Sequence, residues 1–222
     1  MLQLNIIDSE LELVPETLLD DFQIRKIAKT REKRPSEMIL DSNYMHGAID
    51  RKFPGSSNRM GRPDIFHHLL NVTQDSILNK RGLLEINIHT KNDLIIHIDR
   101  ETRIPRSYNR FLGLIEKLFV KGILESPDGK VLMNIDSGKW DNLMKNDYEK
   151  VLLSPRGPLC KPSDLINRDK NYCIIMGGFS EGDFSSPVYE KLEAKSVFEE
   201  ELTIWTVAWE MIASMETVKN LR

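Results

Sequence analysis

The stretch NYCIIMGGFSEGDF (Asn171–Phe184) decides the fold. Tyr172 to Met176 is an unbroken apolar run, and it breaks abruptly into a loop with glycines at 177, 178 and 182. Alternating polarity marks a strand with one wet face. A short continuous apolar run marks a strand covered on both faces, as in a parallel sheet. Upstream, KVLLSPRGP (Lys150–Pro158) also reads as a strand entering a Pro/Gly loop. Downstream, VFEEELTIWTVAWEMIASME (Val197–Glu216) reads as a C-terminal helix. Strands alternating with helices predict an α/β fold, a mainly parallel sheet with helices on both faces.

The earlier chain fits this scheme. Leu2–Asp8 opens with a strand, and Pro15 starts a long amphipathic helix to about Lys33. MILDSNYMHGAI (Met38–Ile49) is mixed in character, and Arg51–Pro63 is a loop rich in Gly, Pro, Ser and Asn. Pro63 starts a helix that continues to about Leu78. In Leu83–Thr90, Leu84, Ile86 and Ile88 alternate with Glu85, Asn87 and His89, which predicts a half-buried strand. Leu94–Asp99 is its hairpin partner. A helix opens at Pro105 and ends near Gly122, and Lys130–Asp136 is another strand.

The chain has 222 residues and a formal charge of −3, which suits one domain and excludes a generically basic nucleic-acid coat. No apolar stretch approaches the ~20 residues that span a bilayer. The opening MLQLNIIDSELELVPE lacks the basic region and long apolar run of a signal peptide. The two cysteines, Cys160 and Cys173, have no zinc-like spacing. These features predict a soluble, cytoplasmic protein with no membrane association.

Against this acidic background, RETRIPRSYNRF (Arg100–Phe111) holds four arginines. Between Arg100 and Lys121, six basic residues face two acidic ones, a local charge of +4. In a helix begun at Pro105, Arg106 and Arg110 lie on one face, with Phe111, Ile115 and Leu118 opposite. A solvated amphipathic helix accounts for such a pattern. Arginine in place of lysine favours a second reading, a planar fork for phosphate and for stacking on bases. Arg51, Lys52, Arg59 and Arg62 add a basic loop with no acid among them, and Arg25 to Arg34 add an auxiliary patch. Asp64 sits in the first turn of the next helix, where it can hold Arg62 in one rotamer. A basic loop beside an arginine face suits a folded RNA.

The glycine-rich loop is neither a dinucleotide fingerprint nor a phosphate loop. It is either a plain turn or one wall of a pocket at the carboxyl ends of the strands, with the LLSPRGP loop and the LTIWTV helix start as the others. Seven acids against two bases between Glu181 and Glu201 give a charge of −5, which disfavours an anionic dinucleotide and tolerates a cationic ligand. His67 and His68 are adjacent and point ~100° apart on a helix, a poor metal pair, so no metal site is expected. Trp205, Trp209, Met211 and Met215 read as core or dimer surface.

GRPDIFHHLLN, LNKRGLLEINIHTKNDLIIHI and TRIPRSYNRFLGLIEKLF closely resemble the small-subunit rRNA pseudouridine-N1 methyltransferases. These are ribosome-biogenesis proteins of the SPOUT, or α/β-knot, superfamily. The resemblance is to compact archaeal-type members. It covers nearly the whole chain, most strongly from about Met38 to Phe119. It implies a single SPOUT domain over residues 1–222, with an RNA-binding extension that includes an antiparallel hairpin at about 50–110 and a cofactor-binding region at about 150–222. It implies a C-terminal deep trefoil knot and a homodimer. It implies S-adenosylmethionine held by three loops that carry Leu153, then Gly177, Gly178 and Gly182, then Leu202, Thr203, Ile204, Trp205, Thr206 and Val207. Arg62, Arg103, Arg106 and Arg110 match the family's RNA-contacting arginines, and Asp64 matches the acid that steadies Arg62. The implied reaction is methylation of N1 of a pseudouridine in small-subunit rRNA, with a role in ribosome biogenesis beside other assembly factors or ribosomal proteins. The catalytic base stays unassigned; Asp64 is a candidate, but its pairing with Arg62 argues for a structural role. The rival readings are a non-catalytic rRNA-binding assembly factor and a knot methyltransferase acting on ribose 2′-OH or guanine.

Overall fold

Strand β1 (Leu2–Ser9) is buried along its whole length because it runs through the middle of the sheet. The computed structural model describes residues 1–221. One sheet of eight strands has the order β4-β5-β3-β2-β1-β7-β6-β8. These are β2 (Leu84–Thr90), β3 (Leu94–Ile98), β4 (Ile123–Glu125), β5 (Val131–Ser137), β6 (Glu149–Leu153), β7 (Tyr172–Gly177) and β8 (Ala194–Lys195). Pairing is parallel from β2 across β1, β7 and β6 to β8. It is antiparallel from β2 outward through β3 and β5 to β4. The sheet is therefore mixed, and the antiparallel edge is three strands wide.

The layers also differ from the expected arrangement. Leu2, Leu4 and Ile6 of β1 share the main core with α3 (Pro63–Gln74), α5 (Tyr108–Lys121) and α7 (Ile204–Val218). Met211 and Met215 of α7 belong to that core. On the opposite face, Ile7, Leu152, Cys173 and Ile175 meet Trp140 and Val188, which stand on single 3₁₀ turns. The long helices thus cover one face. A separate small core joins α1 (Phe22–Thr30) and α2 (Ser42–Lys52) through Ile24, Ala28, Met45 and Ile49.

Strand β2 is not half-buried. Asn87 is 1% exposed and His89 2%. Their polar groups are satisfied sideways, across the strands. Asn5 Nδ2 donates to Cys173 Sγ (3.0 Å), and Asn87 Nδ2 donates to Asn5 Oδ1 (3.0 Å). His97 Nδ1 lies 2.7 Å from Asn87 Oδ1, and its Nε2 3.4 Å from Asp136. This ladder runs from β7 to β5 and fixes strand register, because a one-residue slip would strand each buried polar group.

Helix boundaries moved where a polar side chain caps better than the apolar period predicts. The helix expected from Pro15 is a 3₁₀ turn at Glu16–Leu18, followed by α1, which is capped by Asp21, whose carboxylate accepts from Gln23 N (2.8 Å). The mixed Met38–Ile49 stretch contains the start of α2, capped by Asp41 through Asn43 N (3.0 Å). The helix from Pro63 ends at Gln74, and Ser76 caps the short α4 (Ile77–Lys80). Helix α5 begins at Tyr108, not Pro105, and ends on Gly122 in the left-handed conformation (φ 74°).

Candidate functional site

The carboxyl ends of β6 and β7 and the start of α7 enclose one cleft with about 930 Å³ of empty space open to solvent. Leu153, Gly177, Gly182, Leu202, Ile204 and Val207 line it. Gly178, Thr203, Trp205 and Thr206 are not among its lining residues. Gly178 lies behind the wall, where a Cβ would come within 2.9 Å of Ser9 Cα, so only glycine lets the loop lie against β1. Thr203 precedes α7 and its hydroxyl lies 2.8 Å from that of Thr206, while the Trp205 ring lies tilted against His68 at 5.0 Å between centroids. Sequence reasoning missed Phe179, Phe184, Lys195 and Phe198, which also face the cleft.

The walls are tied together by polar contacts. Tyr189 Oη donates to Asp183 (2.7 Å) and lies 2.9 Å from Ser154 Oγ. Arg156 pairs with Asp183 at 2.8 Å. Asp8, at the end of β1, holds a left-handed φ of 54° and is 2% exposed. It accepts from Ser185 N, Ser186 N (both 2.8 Å) and Ser186 Oγ (2.6 Å), which pins the far end of the glycine-rich loop. Glu181, Asp183, Glu200 and Glu201 give the rim its negative charge.

The arginines divide into two kinds. Arg103, Arg106 and Arg110 are exposed, and no acidic side chain among the described residues pairs with them. Arg106 is not in the helix, so it does not stack above Arg110 as the periodicity predicted. Instead His67 Nε2 bonds to Pro105 O (2.8 Å), and the 103–107 segment lies across α3 before α5 starts. Arg103 and Arg106 line a groove with Arg100, Asn71 and Gln74. Tyr108 is a structural anchor, its hydroxyl donating to Asp41 (2.7 Å). Burial and the neighbouring Asp41 carboxylate push its phenol far above the usual range.

The other cations are taken up by the fold. Arg51 makes a fork onto Asp21 at 2.8–3.0 Å, and Arg59 pairs with buried Glu10 at 3.0 Å. Arg31 and Lys33 converge on buried Glu116. The loop and the auxiliary patch are therefore less available than their residue types suggest. Arg62 donates twice to Asp64, at 2.9 and 2.8 Å, and remains partly exposed. That pairing raises the pKa of the guanidinium above its ordinary value. Arg62 is aimed by Gly61, whose φ of +62° suits glycine and whose Cβ would stand 2.9 Å from the Leu40 backbone. Arg62 N donates to Glu10 O (2.8 Å), and Glu10 N donates to Gly178 O (3.0 Å). One residue thus joins the arginine face to the cleft.

A family model described as EMG1/NEP1 methyltransferase matches residues 5–216. The chain belongs to this family. It is 50% identical to a ribosomal RNA small subunit methyltransferase Nep1 of Thermoplasma volcanium and 48% identical to that of Thermoplasma acidophilum, each over 100% of both chains. The crystal structure of Archaeoglobus fulgidus Nep1 bound to S-adenosylhomocysteine superposes with a TM-score of 0.87, at 29% identity over 98% of each chain. For an EMG1/NEP1 member, the cleft's chemistry fits S-adenosylmethionine, the methyl donor that leaves S-adenosylhomocysteine, the ligand of that relative. Apolar walls suit an adenine and a thioether, glycine at 182 leaves backbone accessible, and the acidic rim suits a sulfonium.

Proposed function

We propose that the protein transfers a methyl group from S-adenosylmethionine to N1 of a pseudouridine in small-subunit rRNA, as a step in small-subunit biogenesis in the cytoplasm. The observation that carries the reading is the full-length likeness to a Nep1 bound to S-adenosylhomocysteine. Residues 50–110 serve the RNA and residues 150–222 the cofactor. S-adenosylmethionine supplies an electrophilic methyl on a positively charged sulfur.

The chain's own part is positioning and electrostatics. Arg103, Arg106 and Arg110 present unpaired forks to phosphates, and Arg62 is held in one rotamer by Asp64. The target base leaves its stack to reach the cleft. Both carboxylate oxygens of Asp64 accept from Arg62, which supports a holding role over that of general base. Leu153, Gly177, Gly182, Leu202, Ile204 and Val207 enclose the cofactor, and the acidic rim favours its sulfonium over the neutral product.

The proposal includes a C-terminal knot and a homodimer. Supporting the knot, Ser196 N donates to Pro158 O (3.0 Å) and Cys160 N to Ser196 O (2.8 Å), while α6 (Pro162–Leu165) of the same loop lies on α7. Supporting the dimer, Leu159 and Phe198 are exposed near the cofactor end. Other ribosome-assembly factors or ribosomal proteins are the further expected partners.

The test is tritiated S-adenosylmethionine with two matched rRNA hairpins, one with uridine and one with pseudouridine at the target. Label in the pseudouridine hairpin alone is the expected result. Label in both indicates a different acceptor atom, and binding without label indicates an assembly factor.

A further inference from the structure

Arg59 has no part in the site as described, yet its side chain joins both halves of that site. Its Nε lies 3.0 Å from a carboxylate oxygen of Glu10, an ion pair with a side chain that is 0% exposed. Nη1 donates to Glu181 O, and Nη2 to Asp183 O at 3.3 Å. The guanidinium also lies 4.6 Å from the centroid of the Phe179 ring. Phe179, Glu181 and Asp183 all line the cofactor cleft. Arg59 itself belongs to the stretch that ends in Gly61 and Arg62. A second tie runs alongside, from Ser180 Oγ to Asn58 O.

We propose that Arg59 is a positioning residue that couples occupancy of the cofactor cleft to placement of the RNA-gripping Arg62. The inference rests on the functional reading above. A ligand in the cleft fixes the Phe179–Asp183 wall. The carbonyls of that wall aim the Arg59 fork, and the fork sets the backbone three residues before Arg62. RNA bound at Arg62 acts back along the same path, because coupling between two sites is reciprocal. Only a planar fork can reach a carboxylate and two carbonyls at once, so lysine cannot substitute.

The experiment measures four dissociation constants for the full chain. S-adenosylhomocysteine is measured with and without the pseudouridine hairpin, and the hairpin with and without S-adenosylhomocysteine. In the wild type, each ligand is expected to tighten the other by about tenfold. Arg59→Gln is expected to bring that factor to within about twofold of one, with each separate affinity changed by less than about threefold. Lys91, 3.2 Å from Glu10, is untouched by that substitution, so the buried carboxylate keeps a cation. Arg59→Lys keeps the charge at Glu10 and the fold, and is expected to lose the coupling as well. Full coupling in either variant, or no coupling in the wild type, overturns the proposal. If the wild type binds neither ligand, the functional reading falls too. If it binds both independently, only the coupling fails.

Discussion

Arg51 stands in the last turn of α2 and Arg59 in the loop before α3, and the protein pairs both, one with Asp21 and one with Glu10. Arg103, Arg106 and Arg110 stand at the start of α5, exposed and without an acidic partner among the described residues. Both stretches look alike in composition. Once a guanidinium is forked onto a carboxylate, much of its field is cancelled and its donors are occupied. An unpaired one offers both to a phosphate. The first set therefore contributes to folding and alignment, the second to binding.

The difference can be broken from the folding side. Glu116 is 1% exposed and holds Arg31, Lys33 and the backbone N–H of Ile39. Glu116→Ala is expected to lower unfolding free energy by about 3 kcal/mol in a denaturant titration, since it strands a buried donor and two cations. A loss below about 1 kcal/mol would show that these cations are not structural. From the binding side, Arg103→Ala with Arg106→Ala should weaken the hairpin about 100-fold while the melting temperature moves by less than about 2 °C. A large drop in melting temperature would place these arginines with the structural set.

Arg62 sharpens the comparison because it belongs to both sets. Asp64→Asn leaves it near the site but removes the fork that aims it. RNA affinity should fall about tenfold with cofactor affinity unchanged, as read by separate titrations. The smallest effect concerns Glu12, behind the same strand end. One of its carboxylate oxygens is buried without a partner, and burial, partly offset by Lys91, raises its pKa. Folding thus favours protonated Glu12, and stability falls as pH climbs from the unfolded-state value through the raised folded-state value. Glu12→Gln should gain about 1 kcal/mol over wild type at pH 8, shrinking toward zero as the carboxyl protonates at low pH. An equal gain at both ends would exclude the charge as the cause.

Much of this arrangement was legible in the residues. The apolar run of β7, its glycine-rich exit, the β2–β3 pairing and the apolar face of α5 follow from local patterns. The cleft was legible as three loop ends, and six of the ten residues named for it line it. Pairings between residues distant in sequence were not legible. Arg51 finds Asp21 across 30 residues and Arg31 finds Glu116 across 85. Glu116 even lies on the apolar side of α5, where periodicity offers no reason to expect an acid to be satisfied. His89 and Asn87 read as solvent-facing because alternation reports polarity and cannot report a cross-strand ladder. Arg106 was placed in a helix because proline often opens one, whereas His67 holds the Pro105 carbonyl in the segment before it.

The most direct measurement is the salt dependence of hairpin affinity for wild type, Arg106→Ala and Arg59→Gln. Each phosphate contact contributes ~0.7–0.9 to the slope of log affinity against log salt. The account predicts that Arg106→Ala loses about one such contact. Arg59→Gln should keep the wild-type slope, because its charge is already bound by Glu10. Equal losses of slope in the two variants would contradict the division of the arginines into a structural and a binding set.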